Sequence, residues 1–242
     1  MLVTGAGRGA GVAIARAFGR EGASVGLACR GSRDRAEAVA EEIRGLGGAS
    51  AVATGDLCAP ADAARVVEEL AGALGGIDIV IANASGYGPT GPLADAEWER
   101  IDTEFQQVVR PVVLTVRAAL PWLRRGTDPV VVAMAATSVR RPVRGEGVHA
   151  MAKAAVIAWA RSMALELGPD GIRVNVLSPG MMETDATLAL PESVRTAVAE
   201  RTPMRRLASA EDLADAAVLL ASPLGRFLTG LDIPVDGGRA DS

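Results

Sequence analysis

A chain of 242 residues with 49% hydrophobic residues, 22% charged residues and a mean hydropathy of +0.24 carries enough apolar side chain for one large core, which excludes intrinsic disorder. Aromatics at 3% give no stacking surface for single-stranded nucleic acid, and a net charge of −4 with a pI near 5.2 gives no footprint for DNA or an anionic membrane. No apolar run approaches the ~18 residues of a membrane span. The opening Met1-Leu2-Val3-Thr4-Gly5 has no secretory pattern, so the expectation is a cytoplasmic protein with Cys29 and Cys58 as reduced thiols. A single histidine, His149, argues against a His-built metal site.

Seven short apolar runs are separated by longer amphipathic stretches. Leu2–Val3 opens at a glycine-rich turn, and a helical pattern covers 10–20. Ser24–Cys29 precedes a helix over 33–46, Ser50–Thr54 one over 60–74, and Ile77–Asn83 one over 94–120. Pro129–Ala135 precedes a helix over 148–168, Ile172–Ser178 precedes one over 210–221, and Leu231–Val235 is the last run. Ser209 is placed to cap the helix from Ala210, with Asp212 as the acidic end of a capping box. Gly168-Pro169-Asp170-Gly171 reads as a helix stop and turn.

Uniformly apolar strands alternating with helices predict a parallel sheet covered on both faces. Right-handed crossovers then make the chain a single α/β domain over 1–242, a doubly wound, Rossmann-like sheet of about seven strands. Residues 184–209, with Pro191 and Pro203, interrupt the alternation and read as a lid over the strand ends. Only three residues precede Thr4, against about 5–6 in an average strand. Either that strand is short or the chain's start lies late.

Thr4-Gly5-Ala6-Gly7-Arg8-Gly9-Ala10-Gly11 follows a strand and opens a helix. Glycines serve there where a diphosphate must approach a helix N-terminus, whose unpaired N–H groups and dipole favour an anion. Alone, the same pattern also describes a tight strand–helix turn.

The TGxxxGxG spacing resembles the short-chain dehydrogenase/reductase family, and further marks follow in order along the whole chain. Asp56 resembles the residue set against the adenine, and Ala82-Asn83-Ala84-Ser85 resembles the family's NNAG. Ser178-Pro179-Gly180 with Glu183-Thr184 resembles the segment that holds the nicotinamide carboxamide. Leu228-Thr229-Gly230 and Val235-Asp236-Gly237-Gly238 resemble the C-terminal signature. The resemblance is strongest to the branch of 3-oxoacyl reductases and polyketide ketoreductases. It implies a nicotinamide coenzyme on Thr4, Gly5, Arg8, Gly9, Gly11, Asp56, Asn83, Lys153, Pro179, Gly180 and Thr184. The second strand ends Ala28-Cys29-Arg30-Gly31-Ser32 with no acid to bind a ribose diol. Arg30, Arg8 and the Ser32 hydroxyl suit a 2′-phosphate, which favours NADP(H) over NAD(H). The alternative is that these arginines are solvated surface charges.

The resemblance also implies a Ser, a YxxxK pair and a helix Asn. In that scheme Tyr gives a proton to a carbonyl oxygen, Lys lowers its pKa and holds the ribose, Ser positions the oxygen, and Asn holds a water. Here the YxxxK register reads His149-Ala150-Met151-Ala152-Lys153. The Ser position, thirteen residues before His149, is Ala136, with Thr137 and Ser138 out of register, and the Asn position is Val108. Ordinary ketoreduction is therefore not expected. A free His has a pKa of about 6.5 against about 10 for Tyr, and a nearby Lys⁺ lowers it further. Neutral imidazole is a poor donor and a fair base, so His149 with Lys153 suits alcohol oxidation or proton abstraction. Otherwise His149 is a relict lining an idle cleft.

Pro111 leaves the Gln107 carbonyl without its helical partner, so that carbonyl or the Gln107 side chain is placed to hold a water near Lys153; the alternative is a kink with packing meaning only. Arg140, Arg141 and Arg144 lie beside the expected substrate mouth. They are placed to receive a phosphopantetheine arm, an acidic carrier protein or a carboxylated substrate, or they form a solvated loop. Arg124 and Arg125 read as an exposed helix end, and Trp98, Trp122 and Trp159 as packing or subunit contacts.

Three readings follow. The first is an NADP(H)-binding, non-catalytic or auxiliary subunit in a dimer or tetramer with an intact paralogue. The second is an active NADP(H)-dependent oxidoreductase, or a non-redox enzyme, using His149 as base with Lys153 on a small-molecule or carrier-bound substrate. The third is a homo-oligomeric nucleotide sensor.

Overall fold

Strands with apolar side chains on both faces need helices on both faces. The computed structural model of the chain, which describes residues 1–239 without the side chains of Asp185 and Ala186, meets that need with one parallel sheet. Residues 240–242, the end of the expected domain, lie outside the described residues. The strands are β1 (Leu2–Thr4), β2 (Val25–Cys29), β3 (Ser50–Thr54), β4 (Ile79–Ala82), β5 (Val130–Met134), β6 (Arg173–Pro179) and β7 (Asp232–Val235). They lie in the order β3-β2-β1-β4-β5-β6-β7. Every residue of β1, β2 and β5 is buried. The edge strand β7 is half-buried throughout and tolerates Pro234 because it pairs with β6 alone.

The helices are α1 (Gly9–Arg20), α2 (Arg33–Gly45), α3 (Pro60–Leu74), α4 (Trp98–Leu123), α5 (Gly147–Leu167), α6 (Asp185–Leu188), α7 (Glu192–Glu200) and α8 (Ala210–Ala221). One core joins α1, α2 and α8 to the sheet through residues such as Ile14, Ile43 and Leu213. The other joins α3, α4 and α5 through Leu70, Val112 and Val156. The chain runs outward from β1 to β3, then returns to place β4 beside β1, with Leu2 opposite Val80 and Val3 opposite Ile81. This reversal opens a crevice at the carboxyl ends of β1 and β4, the expected place for a ligand in such sheets.

The expected helix over 94–120 starts later, at Trp98. Leu93–Asp95 is a 3₁₀ turn after Pro92, and extended Glu97 precedes α4 without a side-chain cap. Residues 184–209 contain α6 and α7, and their ends are joined by a bridge between Met182 and Ala208. The capping box of α8 is present: the Asp212 N–H donates to Ser209 Oγ at 3.1 Å, and the Ser209 N–H donates to Asp212 Oδ2 at 2.7 Å. Arg206 also grips Asp212, at 2.5 and 2.8 Å, holding its carboxyl well below the usual range. Ser209→Ala is expected to cost about 1 kcal/mol, read as a fall in Tm of about 2–4 °C for a domain of this size.

Candidate active site

Gly5 and Gly9 take φ of 67° and 54°, the left-handed region where a side chain is strained. A Cβ on Gly11 would lie 2.3 Å from the Gly5 carbonyl oxygen, so α1 begins pressed against the turn. A Cβ on Gly9 would meet nothing within 4 Å. Arg8, the residue before α1, makes no side-chain cap, so the helix N-terminus stays open toward that space. An uncapped N-terminus behind an unobstructed glycine is what a diphosphate requires. The residues present fit the coenzyme's diphosphate.

Thr4 and Asn83 act differently. The Asn83 side-chain amide donates to the Thr4 carbonyl at 2.9 Å, and the Ala84 N–H donates to the Thr4 hydroxyl at 2.8 Å. Together they stitch the end of β4 to the glycine-rich turn and hold the crevice in shape. Asp56 follows β3, and its Oδ1 accepts the Cys58 N–H at 3.0 Å. Pro179 ends β6, and the Gly180 N–H donates to Val235 at 3.1 Å. Thr184 exchanges hydrogen bonds with Thr187 at the start of α6. All these residues lie along the carboxyl edge of the sheet.

Ser32 packs on the turn, since a Cβ on Gly7 would fall 2.5 Å from its own Cβ. A hollow of about 290 Å³ opens beside the turn, lined by Gly7, Arg8, Gly9, Val12, Arg16 and Arg35 among others. Arg16 is committed to Glu42 at 2.6 and 2.7 Å. Arg8 and Arg35 are exposed. Arg35 was not foreseen: in sequence it is one of several charges in the first turn of α2. Arg30 does not line this hollow; its charge acts on the Cys58 thiol across the β3–α3 loop.

The second half of the site lies on α4 and α5. The buried stripe of α5 runs Val148, Ala152, Val156, Ala160 and Ala164, and Lys153 sits on it, 5% exposed. The ammonium donates to the Met134 carbonyl at the end of β5 at 2.9 Å, and burial pulls its pKa down from 10.5 to about 8. One turn earlier, His149 meets Glu104 of α4: Nδ1 and Oε1 are 2.6 Å apart. Glu104 is 4% exposed, and its Oε2 accepts the Gly88 N–H at 2.9 Å. Burial lowers the His149 pKa below 6.5; Lys153 adds to that, while Glu104 and Glu146 oppose it. Tyr87, the sole tyrosine, rests against the imidazole with ring centres 4.7 Å apart. Its phenol is pushed up to about 12, chiefly by burial and the Glu146 carboxylate.

Glu104 and Tyr87 were missed in the sequence. For Glu104 a signal exists: it begins the buried stripe Glu104, Val108, Val112, Val116 of α4, an acid at a core position. Tyr87 carries no such pattern.

One expectation is corrected, and the other candidate residues take the following places. The Gln107 carbonyl freed by Pro111 does not wait for a water, because it accepts the Gly86 N–H at 3.0 Å. Arg140 is held by Asp232 on β7, at 3.1 Å to Oδ2 and 2.6 Å to the carbonyl. Arg141 likewise donates to the Arg239 carbonyl at 2.7 Å. Arg140 and Arg144 are exposed and Arg141 is half-buried. Ala136 carries no hydroxyl at the end of the strand, Thr137 donates to the Pro179 carbonyl at 3.3 Å, and the Ser138 hydroxyl is buried without a partner among the described residues. Val108 is fully buried in the apolar core. Arg124 and Arg125 are exposed, as expected of a helix end; Arg124 is bonded to Asp170 at 2.8 Å, and Arg125 stacks on Trp122.

Among the described residues no helix is long and apolar enough to cross a membrane, and no cluster of three potential metal ligands occurs. Residues 5–240 match the family model described as enoyl-(acyl carrier protein) reductase. An oxidoreductase of Mycobacterium tuberculosis (strain CDC 1551 / Oshkosh) is 38% identical over 239 residues, covering 98% of this chain and 90% of its own. A short-chain dehydrogenase from Burkholderia cenocepacia J2315, solved in complex with NADP, superposes with a TM-score of 0.91 at 33% identity, covering 100% of this chain and 97% of that one. A 3-ketoacyl-(acyl-carrier-protein) reductase from Brucella melitensis, complexed with NADH, gives 0.90 at 32% identity, covering 99% and 97%. Agreement of this extent, in sequence and in backbone alike, makes the chain a member of the short-chain dehydrogenase/reductase family.

Proposed function

We propose that this chain is an NADP(H)-dependent oxidoreductase that interconverts an alcohol and a carbonyl, with His149 transferring the proton and Lys153 anchoring the coenzyme's ribose. The observation that carries this reading is the 2.6 Å contact between His149 and the buried Glu104, one helical turn from Lys153. An ionised carboxylate taken out of water costs several kcal/mol unless it is paired. An idle cleft would be served as well by the apolar side chain that the rest of the α4 stripe carries.

When bound, the coenzyme supplies the hydride acceptor or donor. The open N-terminus of α1 receives its diphosphate, and Arg8 and Arg35 receive a 2′-phosphate. Lys153, fixed by Met134, presents its ammonium at the carboxyl end of β5. Neutral His149 takes the alcohol proton. Residues 184–209 cover the substrate; their clasped ends at Met182 and Ala208 and the absence of buried side chains along α7 support a segment able to move as a unit.

NADP⁺ at a hundredfold excess over its Kd is expected to stabilise the fold by about 2.7 kcal/mol, or about 5–10 °C in Tm, with a smaller shift for NAD⁺ at equal concentration. No shift at millimolar coenzyme would remove the binding claim. Turnover is tested with NADP⁺ and a panel of primary and secondary alcohols.

The auxiliary subunit, ranked first on sequence, becomes the second reading because Glu104 was not visible there. It draws on the apolar side chains left at the surface, Leu165, Leu224 and Phe227, at 81%, 77% and 98% exposure, which an oligomer would cover. Co-purification with a related chain whose activity requires this one would restore it.

A further inference from the structure

The contact between Glu104 and His149 has a chemical consequence beyond pairing. Glu104 Oε2 accepts the Gly88 N–H, and Oε1 faces Nδ1 at 2.6 Å. An ionised carboxylate has no proton to give, so in that form it requires a donor at Nδ1. Nε2 has no partner among the described residues and is not a buried orphan. Its lone pair is therefore the one available for chemistry.

We propose that Glu104 is a positioning residue that locks His149 in the Nδ1–H tautomer, so that Nε2 becomes the proton acceptor for an alcohol substrate. The proposal rests on the reading of His149 as the base and names how that base is set. In the step, the substrate O–H bond breaks and its proton passes to Nε2. The C–H hydrogen leaves with its electron pair to oxidised NADP⁺ as the C=O bond forms, and the proton then leaves Nε2 for water. Glu104 faces the imidazolium so formed and favours it, as the buried acid does in hydrolase triads.

The elements around the ring each contribute. From α4 comes Glu104, from α5 Lys153, from the residue before α5 Glu146, and from the β4–α4 loop Tyr87. Tyr87 walls the ring on one side. That loop is pressed on α4: a Cβ on Gly88 would lie 2.4 Å from Glu104 Oε2, and one on Gly86 would lie 2.4 Å from Gln107 Oε1. The loop therefore fixes the carboxylate from behind while the carboxylate fixes the histidine.

His149 is the only histidine, so the imidazole of the full chain gives one pair of ring nitrogen resonances. ¹⁵N-histidine NMR near neutral pH is expected to show a protonated Nδ1 and an unprotonated Nε2. In Glu104→Gln the Gly88 N–H claims the amide oxygen and turns the NH₂ toward Nδ1, so the resonances are expected to exchange character. Without the carboxylate the imidazole titrates at lower pH. NADP⁺-dependent kcat for an alcohol is expected to fall by about 10²–10⁴-fold, by analogy with a triad acid turned to amide, with KM for NADP⁺ nearly unchanged. A wild-type imidazole protonated at Nε2, or a Glu104→Gln spectrum identical to wild type, would overturn the proposal. A wild type with the expected tautomer that oxidises no alcohol overturns the base assignment instead, and leaves the lock standing as a structural fact.

Discussion

Replacing His149 by asparagine is expected to reduce alcohol oxidation by about 10²–10⁴-fold, the usual worth of a positioned general base, while NADP⁺ still raises the melting temperature. Asparagine is chosen because its amide nitrogen occupies about the place of Nδ1 and keeps a donor for Glu104, so the buried carboxylate is not orphaned. Only Nε2 is lost. The pH profile of the wild type gives a second readout. Neutral imidazole is the active form for oxidation, and burial holds its pKa below 6.5. The acid limb of kcat/KM is therefore expected below 6.5, with no fall through neutrality, and it should vanish in His149→Asn. Reduction requires the imidazolium and should grow only as pH falls through the same value. Equal turnover in wild type and variant would show that the imidazole transfers no proton.

The fold was legible because its signals are local. Uniformly apolar runs such as Val130–Met134 identify strands with two buried faces, and the elements between them have helical periodicity. Where a boundary moved, a nearby residue explains it: Pro92 sets up the 3₁₀ turn that delays α4 to Trp98. The coenzyme half of the site was legible for the same reason, since the turn and its glycines are contiguous. The catalytic half was legible only in part. Lys153 and His149 share one helix, so spacing finds them, but Glu104 lies 45 residues from His149 and spacing says nothing of their contact. Arg140 shows the same limit. Three arginines in a loop read as a substrate-facing patch or a solvated loop, and neither reading contains the partner that holds Arg140, Asp232, 92 residues on. Pairings across the sheet edge are made by the fold, and a list of charges does not contain them.

Lys153→Met is expected to raise the melting temperature at neutral pH while removing coenzyme-dependent stabilisation and turnover. Lys153 is 5% exposed, and among the described residues its ammonium has one hydrogen bond, to the Met134 carbonyl. Burial lowers its pKa from 10.5 to about 8, so the folded state carries a charge it would shed more readily than the unfolded chain. Between about 8 and 10.5 the unfolded state binds this proton and the folded state does not, so stability contributed by this group rises with pH over that window. Below about 8 both states are protonated and the full penalty stands, on the order of 3 kcal/mol. Methionine fills the same apolar stripe without a charge, which removes that penalty. Part of the gain is offset, because Glu104 loses a nearby cation, so an upward shift of a few degrees is expected rather than the full value. The stabilised variant should no longer respond to NADP⁺, since nothing then presents an ammonium to the ribose. A large fall in Tm would show that Lys153 holds the fold together. A higher Tm with the NADP⁺ response intact would show that the ribose is anchored elsewhere. The expected pair of results, a firmer fold and a lost coenzyme response, would place the buried lysine among residues kept for binding at a cost in stability.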